Sequence, residues 1–528
     1  SISEAHARQT HPYDATPIRS ITPSVRASTA PFPRRAFLSP SSSFSSARRI
    51  LSFSHPFVVV STFFFSFSSS HVNVSFLLGA VFRFIRSFSL TQKNSSPIFI
   101  HFYSPSSSCS VYYIIMKRGA LVQLKCAIQH YDWGVSGQTP SAVAELGSLN
   151  REEKIDEEKP HAELWMGTHL SGLNVIKETD SSDSSSSLKQ HVEANAKETL
   201  GEKCLKRFGN DLPFLLKVLS VAKALSIQAH PDKQLAEKLH EEKPHMYKDA
   251  NHKPEMALAV TEFEAMSGFI SEPKEALEKC PELKLLTGIR LEEMDAMKED
   301  KKAQMKYLFT KVMLAEKEEV AKHVRALVKR LKEEAEGKGG NDDDERDRLA
   351  LRLNGQYPDD VGVMCAYLLN YIKLQPGEAV YMAANEPHAY LDGECVEVMA
   401  TSDNVVRAGL TPKARDTEIL CDMLTYKLGK PEVLTGDVID KNTKRYSPPF
   451  DEFELEVISC SKNETAELTV SQGPSILLVK NGKGTLNDDV RIEKGSVVFA
   501  NANEKMTLTN SDDGEVSIYR AQVNTRVF

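Results

Sequence analysis

The sequence predicts a mainly β protein that is interrupted by a helical insertion and ends in a second β domain. Short apolar segments bounded by turn residues dominate residues 121–269, and they return from residue 371 onward. Between these two regions the apolar residues recur at helical spacing instead. Because short apolar runs between turn residues indicate strands, whereas a helical period indicates an amphipathic helix, the predicted order is strand, helix, strand.

The first β region carries two clear strand signals. Residues 121–124 are short and mostly apolar, and residues 214–221 form a nearly continuous apolar run. A serine-rich stretch at 181–187 separates them and is typical of a tolerated surface loop. We assign residues 116–270 to the first part of a central β domain, which is expected to be the catalytic one.

Residues 271–370 are predicted to form a helical domain. The apolar residues of the segment 312–336 follow a helical period, with lysines and glutamates on the other faces. This apolar stripe consists of Val320, Val324, Leu327 and Leu331. The charged face is interpreted as a solvated surface, and the glycines and acidic residues of 337–344 indicate an exposed loop.

Strand signals return over residues 371–440, which we assign to the second part of the central domain. The remaining residues, 441–528, contain the apolar runs 476–479 and 495–500 around a glycine turn at 481–484. Short strands at regular spacing with glycine turns suggest a sandwich or jelly roll.

Residues 1–115 differ from the rest of the chain in composition. They are rich in Ser, Phe and Arg, their only acidic residues are Glu4 and Asp14, and the first methionine is Met116. We favour sequence upstream of the true translation start, while an organelle transit peptide and a membrane anchor remain alternatives. No Asp, Glu, Lys or Arg occurs between Arg49 and Arg83. The many serines of that stretch nevertheless make it a poor membrane helix. We expect this leader to be disordered or poorly packed, and it is excluded from the catalytic argument.

The net charge of -7 hides an asymmetry, because the leader is basic and the chain after Met116 is strongly acidic. An acidic body has no general attraction for nucleic acid or for an anionic membrane, so a bound phosphate needs a local basic pocket. The 8 cysteines are scattered and include no Cys-x-x-Cys pair. This pattern favours a reducing compartment, by default the cytosol, over a disulfide framework.

Two short clusters contain candidate metal ligands. Gln228 and His230 are two residues apart, so on a strand their side chains point to the same face and can converge on one metal. In the second cluster Glu255 directly follows Lys253 and Pro254. Imidazole and oxygen ligands together suit zinc and leave a position open for water or substrate. Either cluster alone also fits an ordinary strand or a surface loop with a few charges.

A third cluster is more informative. A Pro-Gly turn at 376–377 leads into a strand that is followed by His388. Strand alternation allows Glu397, further along, to point into the interior of a barrel. Arg407 and Lys413 then supply positive charge of the kind that binds a sugar phosphate. Two solvated surface cations explain that last pair equally well.

These segments resemble the type I phosphomannose isomerase family. The Tyr-x-Asp-x-Asn-His-Lys-Pro-Glu stretch at 247–255 matches one family motif, and residues 388–413 match a second, longer one. Shorter stretches at 131–134 and 162–169 support the match. The resemblance covers the chain from Met116 onward without a departure at a metal or catalytic position. It implies a central cupin (jelly-roll) domain, an all-helical domain and a second, C-terminal jelly roll.

The resemblance also implies the residues of the site. Four positions correspond to the ligands of one Zn²⁺ per chain: Gln228, His230, Glu255 and His388. Arg407 corresponds to the active-site arginine of the family. Lys413, Ser226 and Lys217 resemble the phosphate-binding group, and Trp133, although tryptophan is more often a core residue, is assigned to the substrate pocket.

The activity implied by the resemblance is the interconversion of mannose 6-phosphate and fructose 6-phosphate through an enediol. Such a reaction needs a general base and preorganised positive charge for the developing oxyanion. We favour Glu397 as the base over Lys253 and Glu163, and a purely structural role for Glu397 stays open. By the same resemblance, a cytoplasmic protein, expected to be a monomer, would supply mannose for activated-sugar (GDP-mannose) synthesis.

Two other classes of protein remain as alternatives. One is another metal-dependent cupin, such as an iron dioxygenase. Those usually use three histidines and a glutamate, and the neutral amide of Gln228 favours redox-inert zinc instead. The other is a non-catalytic sugar-binding or storage protein with two cupin domains. Such a protein has no need for metal ligands beside Arg407 and Lys413, so a metal-free purified protein would favour it.

Overall fold

The computed structural model describes residues 98–100, 112–114, 120–177, 186–298, 300–337 and 344–528. The leader at 1–115 lies outside the described residues, apart from two short strands that pair antiparallel, β1 (Ile98–Ile100) and β2 (Tyr112–Ile114). The loops predicted at 181–187 and 337–344 also fall largely outside them. Within the described part of the chain, no helix combines the length and the apolar character that crossing a membrane requires.

Helices and antiparallel strands alternate in the first part of the described chain. The strands are β3 (Leu121–Lys125), β4 (Ala127–Gln129), β5 (Val135–Ser136), β6 (Pro160–His161), β7 (Glu163–Met166), β8 (Val175–Ile176), β9 (Phe214–Val221), β10 (Ile227–Ala229), β11 (Glu255–Ala259) and β12 (Phe263–Phe269). The helices are α1 (Ala142–Arg151), α2 (Leu188–Ala194), α3 (Ala196–Leu200), α4 (Glu202–Phe208) and α5 (Lys233–Glu242). A short 3₁₀ helix, Leu170–Gly172, follows β7.

The predicted helical insertion is helical in the structure. Its helices are α6 (Pro273–Lys279), α7 (Pro281–Thr287), α8 (Leu291–Ala296), α9 (Lys301–Met313), α10 (Lys317–Gly337) and α11 (Glu345–Gln356), and a 3₁₀ helix, Val361–Tyr367, ends the insertion. The predicted apolar stripe lies on α10 and is buried, as expected: Val320, Val324, Leu327 and Leu331. It packs into a core that also holds Ile227 and Ala408, which joins the helices to the strands of the site.

Strands then resume and form the rest of the central sheet. They are β13 (Leu369–Leu374), β14 (Ala379–Met382), β15 (His388–Ala400), β16 (Val406–Gly409) and β17 (Val433–Leu434), with helix α12 (Thr417–Met423) after β16. The main strand order is β17-β14-β11-β15-β9-β7-β4. Strands β10 and β12 also pair with β15, and they pair in turn with β16 and β13. The long strand β15 therefore connects the different parts of this sheet.

Strand β15 changes partners along its length. Its first residues pair with β10 and β12, and its later residues pair with β9 and β11. The change occurs at Gly393, whose φ of 98° lies in the region that favours glycine. A Cβ there would lie 2.3 Å from the carbonyl oxygen of Glu262, so only glycine fits. This bend allows one strand to serve both halves of the sheet and to carry His388 and Glu397 at its two ends.

The C-terminal part of the chain forms two sheets. Its strands are β18 (Asp437–Val438), β19 (Thr443–Tyr446), β20 (Glu454–Cys460), β21 (Thr465–Glu467), β22 (Ser475–Asn481), β23 (Lys483–Leu486), β24 (Val490–Glu493), β25 (Val497–Ala500), β26 (Thr507–Asn510) and β27 (Val516–Gln522), followed by the 3₁₀ helix Thr525–Val527. Leu486 and Leu508 of the smaller sheet pack with Ile458 and Leu477 of the larger one. The region is thus a sandwich, one of the two architectures that its strand pattern suggested.

The larger C-terminal sheet includes a strand from the beginning of the described chain. Its order is β18-β19-β20-β27-β22-β25-β3-β8, with Leu124 of β3 opposite Val497 of β25. The sequence analysis grouped residues 121–124 with the central domain, whereas the structure pairs them with the C-terminal sheet. The alternating pattern of a strand shows that one face is buried, but it does not identify the neighbouring strand.

The two β regions share a hydrophobic core. Phe214 and Val396 of the central sheet belong to the same buried cluster as Leu455 and Phe499 of the C-terminal sandwich. The sandwich therefore packs directly against the sheet that carries the site.

Candidate active site

Three strand ends bring the predicted metal ligands together. His230 directly follows β10, Glu255 begins β11 and His388 begins β15. Gln228 of β10 lies opposite His388 on one side and opposite Arg407 of β16 on the other. Directly opposed residues in antiparallel strands point to the same face, so this row of three side chains is presented together.

The histidine and carboxylate ligands form a tight, buried group. The Nε2 atom of His230 lies 3.4 Å from Oε2 of Glu255, and Nε2 of His388 lies 3.2 Å from the same oxygen. All three residues are about 1% exposed. None of these three atoms has a hydrogen-bond partner among the described residues. Buried polar atoms without partners are costly, and two imidazole nitrogens with one carboxylate oxygen are a donor set that suits a zinc ion.

Backbone carbonyls fix the orientation of both imidazoles. Nδ1 of His230 lies 2.7 Å from the carbonyl oxygen of Asn404, and Nδ1 of His388 lies 3.2 Å from that of Glu386. Because a carbonyl only accepts, each Nδ1 carries the proton and donates it. Each Nε2 therefore presents a lone pair toward Glu255, which is the tautomer that binds a metal.

The loop that carries Asn404 is held by the 247–255 motif. The side-chain amide of Asn404 donates to the carbonyl oxygens of Asp249 and Asn251 at 2.7 and 2.9 Å. The Asp249 carboxylate accepts hydrogen bonds from the Ser402 hydroxyl and from the backbone N–H of Asp403, both at 2.8 Å. The motif thus supplies one ligand itself and supports the loop that orients another.

Charge around the ligands keeps them competent to bind a metal. The second oxygen of Glu255, Oε1, lies 2.9 Å from the Lys253 ammonium. Burial tends to raise the pKa of Glu255, but neighbouring groups, with the Lys253 ammonium contributing most, outweigh it and hold that pKa well below its usual range. Burial lowers the pKa of His230 to about 4, so this imidazole is neutral at physiological pH.

A second buried cluster lies beside the ligands and centres on Lys217. Its ammonium lies 3.0 Å from Glu397 and 3.3 Å from Glu163. The ring of Trp165 lies under the same ammonium at 4.9 Å, and the indole N–H donates to Glu163. Tyr390 donates its hydroxyl to the other oxygen of Glu397 at 2.9 Å. A buried lysine is thus shared by two carboxylates.

This cluster changes the acidity of its members. Burial, with the charges of Glu255 and Glu163 acting in the same direction, raises the pKa of Glu397, while Lys217 opposes the shift. The two carboxylates outweigh burial and raise the pKa of Lys217. This arrangement argues against the predicted phosphate-binding role of Lys217, because its charge is already compensated and its side chain is buried.

The other predicted substrate residues are distributed differently. Among the described residues, no hydrogen bond or ion pair engages the half-buried side chain of Arg407. Ser226 comes just before β10 and is half-buried, whereas Lys413 lies in an exposed loop after β16. Trp133 is half-buried and packs against the interior cluster that includes Tyr390, a contact that fits the core interpretation, while its place in the substrate pocket stays a prediction. The structure therefore groups Arg407 with the ligands and leaves Lys413 on the surface.

Sequence reasoning missed several side chains of the site. Trp165 and Tyr390 were not assigned roles, although both were visible in matched stretches. Tyr390 follows His388 by two residues on the same strand, so period-two alternation already predicts that both face the same interior. The part played by Asn404 had no such signal, because it acts through its backbone carbonyl.

The fold and the site define a metal-binding enzyme built on an antiparallel β-sheet. Residues 121–271 match the model of the phosphomannose isomerase type I catalytic domain, and residues 284–369 match that of the family's helical insertion domain. The chain is 45% identical over 421 residues to mannose-6-phosphate isomerase 1 of Arabidopsis thaliana, covering 78% of this chain and 95% of that one. It is 40% identical over 423 residues to the human mannose-6-phosphate isomerase, covering 77% and 99%. The chain belongs to the type I phosphomannose isomerase family.

Solved structures agree with this assignment. A zinc-bound mannose 6-phosphate isomerase superposes with a TM-score of 0.65 at 29% identity, covering 77% of this chain and 100% of that one. A variant of the phosphomannose isomerase from Salmonella typhimurium gives a TM-score of 0.66 at 29% identity with the same coverage. The resemblance identified from the two long motifs is thereby confirmed.

Proposed function

We propose that this enzyme is a zinc-dependent aldose–ketose isomerase that interconverts mannose 6-phosphate and fructose 6-phosphate through an enediol. The observation that carries the proposal is the register of β10, which sets Gln228 opposite both His388 and Arg407. A metal-ligand set, and on the same face an arginine that pairs with no described residue, suit a small substrate that has both sugar oxygens and an anionic group.

One zinc ion per chain is held, in this proposal, by the amide oxygen of Gln228, Nε2 of His230 and His388, and the Glu255 carboxylate. The support is the set of buried, unpartnered atoms that converge there. Zinc, when bound, supplies fixed positive charge that orients the sugar and polarises its oxygens. Every other part of the reaction falls to side chains of this chain.

Arg407 provides a permanent positive charge. A guanidinium stays protonated across the physiological range, so it binds the anionic substrate and stabilises the negative charge that develops on O1 or O2. Because no described carboxylate neutralises it, its full charge is available to the substrate. Lys413, on its exposed loop, and Ser226 assist with the phosphate group.

Glu397 is the proposed base. It removes the proton on C2 of the aldose and returns it to C1, while the hydroxyl proton passes from O2 to O1. Its raised pKa brings its basicity closer to neutral pH, which favours proton transfer in both directions. Lys253 is paired with Glu255, while Glu163 and Glu397 share Lys217, so the raised pKa is what favours Glu397 over these two candidates.

The wider setting of the proposal follows the sequence analysis. In this proposal residues 116–270 and 371–440 form a cupin jelly-roll domain, residues 271–370 form a helical domain, and residues 441–528 form a second jelly roll whose larger sheet also includes β3. The seven described cysteines are free and buried, which supports a reducing compartment such as the cytosol. There the product would supply mannose for activated-sugar synthesis.

The test is conversion of mannose 6-phosphate to fructose 6-phosphate by the full chain before and after chelation. We expect turnover that the chelator removes and that Zn²⁺ restores, with unphosphorylated mannose as the control substrate. Turnover of mannose at the same rate would remove the role of the phosphate and of Arg407. A folded, zinc-loaded protein without any turnover would contradict the isomerase proposal and favour the sugar-binding alternative.

A further inference from the structure

One contact links the C-terminal sandwich to the metal-ligand motif itself. Nε2 of His252 lies 2.6 Å from Oε1 of Glu452, although the two residues are 200 positions apart. The side chains are only 24% and 14% exposed. A short, largely buried bond between an imidazole N–H and a carboxylate is among the stronger hydrogen bonds in proteins. The contact is therefore specific and resistant to competition from water.

His252 occupies a sensitive place in the motif. The next residue is Lys253, whose ammonium bonds to the metal ligand Glu255 at 2.9 Å. Asp249 and Asn251 anchor the preceding part of the motif to the loop at 401–404. The side chain of His252 bonds instead to the C-terminal sandwich, so the segment is held from two directions.

The contact is not what attaches the loop of Glu452 to the rest of the protein. The neighbouring residue, Asp451, pairs with Arg207 of helix α4 at 2.8 Å and with Arg526 at 3.0 Å. These two ion pairs hold the loop independently of Glu452, and the shared apolar core packs the sandwich against the central sheet. Glu452 is thus free to act on His252 without being needed for docking of the sandwich.

We propose that Glu452 is a positioning residue for the isomerase reaction, acting through His252 to fix Lys253 against Glu255. This rests on the proposed function and gives the C-terminal sandwich a part in the site. Small displacements of a group beside the reacting atoms reduce the rate by up to about 100-fold. Loss of the contact that holds His252 is therefore expected to reduce kcat. Glu452 does not need to touch the substrate for this effect.

The test compares three variants of the full, zinc-loaded chain. Glu452→Ala removes the acceptor, and we expect kcat to fall about 10- to 100-fold while zinc content and KM change little. Glu452→Gln keeps an acceptor oxygen for His252 and is expected to recover most of kcat. Asp451→Asn weakens the anchoring of the same loop and is expected to lower thermal stability with kcat unchanged. Wild-type kcat in Glu452→Ala, or an equal loss in Asp451→Asn, would overturn the proposal.

A second readout separates this proposal from the isomerase assignment. The rate at which a small anhydride acylates Lys253, followed by mass spectrometry of its peptide, reports how firmly that ammonium is held. We expect a several-fold faster reaction in Glu452→Ala and no change in Asp451→Asn, whether or not the wild-type chain isomerises the sugar. An unchanged rate in Glu452→Ala would contradict the positioning role, while absent wild-type turnover would contradict only the proposed reaction.

Discussion

The imidazole of His230 donates its Nδ1–H to the backbone carbonyl of Asn404 across 2.7 Å. The side chain of Asn404 in turn bonds to Asp249 and Asn251 of the metal-ligand motif. A candidate metal ligand is therefore oriented by a loop that the motif of another candidate ligand holds in place. Hydrogen bonds that orient the ligands in this way contribute to metal affinity in addition to the ligands themselves.

Replacing Asp249 with alanine removes the acceptor for Ser402 and for the Asp403 N–H, so the loop loses its anchor. We expect zinc affinity to fall about 10- to 100-fold, measured by competition with a chromogenic chelator. The matched control is Asp416→Ala, which breaks bonds to Lys243 and to Tyr247, the first residue of the motif, without touching the loop. Equal losses of affinity in both variants would mean that general loosening, not the loop, is responsible.

Replacing Arg407 with alanine removes a charge that no described residue neutralises. A hydrogen bond to a charged group contributes about 1.5–3 kcal/mol, so kcat/KM for the sugar phosphate is expected to fall about 10- to 150-fold. Arg407→Lys is expected to recover part of this loss, because the charge remains without the planar fork. Arg415→Ala serves as the control, since that guanidinium already bonds to the carbonyl of Ala408. A loss in Arg415→Ala as large as that in Arg407→Ala would contradict the prediction.

Replacing Glu397 with glutamine keeps the shape of the side chain and removes its basicity. We expect turnover to fall about 10²- to 10⁴-fold with zinc fully bound, because a general base supplies that range of acceleration. Zinc content and turnover are measured on the same sample. Near-normal turnover would exclude Glu397 as the base and return Lys253 and Glu163 to consideration.

Replacing Glu456 with alanine tests a buried charge network in the C-terminal sandwich. Glu456 and Arg520 are fully buried and lie 3.3 Å apart, and Arg445 lies 2.6 Å from the other carboxylate oxygen. Removing one partner leaves buried charge uncompensated, which costs about 3–5 kcal/mol. Urea denaturation followed by circular dichroism measures this change. Asp513→Ala, which breaks an exposed pair with Lys462, is expected to cost at most about 1 kcal/mol. Equal effects would contradict the burial argument.

The helical insertion is expected to weaken in acid through Glu282. Burial tends to raise the pKa of this carboxyl, but hydrogen bonds that include the Arg330 guanidinium outweigh it and lower the pKa. A lowered folded-state pKa contributes stability that is present above the unfolded value of about 4.3 and is lost as pH falls through the folded value. Hydrogen exchange of helix α7 is expected to accelerate below about pH 4, and Glu282→Gln to remove that dependence. Glu333→Gln, at an exposed pair with Lys329, is the control and is expected to retain it.

The sequence carried most of the information about the metal site, because its ligands lie in short segments with local patterns. Gln228 and His230 follow strand alternation, and the motif around Glu255 is contiguous. The helical stripe on α10 was equally readable, since amphipathic spacing is a local property. These predictions needed no knowledge of which segments meet in space.

The sequence was least informative where contacting residues are distant in the chain. Lys217 looks like a free cation in sequence, and only the fold brings Glu163 and Glu397 to it across neighbouring strands. Strand β3 has a pattern that fits either sheet, and its pairing with β25 depends on the whole topology. The contact of His252 with Glu452 likewise joins segments 200 positions apart. Local sequence patterns do not predict which distant segments come into contact.

The pairing of Leu124 with Val497 makes the order of synthesis matter. Strand β3 leaves the ribosome long before its neighbour β25 exists, so one of its edges stays uncovered until β25 has been translated. Strand pairing across such a separation is slow, and exposed edges invite pairing with other chains meanwhile. Completion of the C-terminal sheet is therefore expected to be a late step of folding. Two strands that are far apart in the chain therefore pair only after all the residues between them have been synthesised.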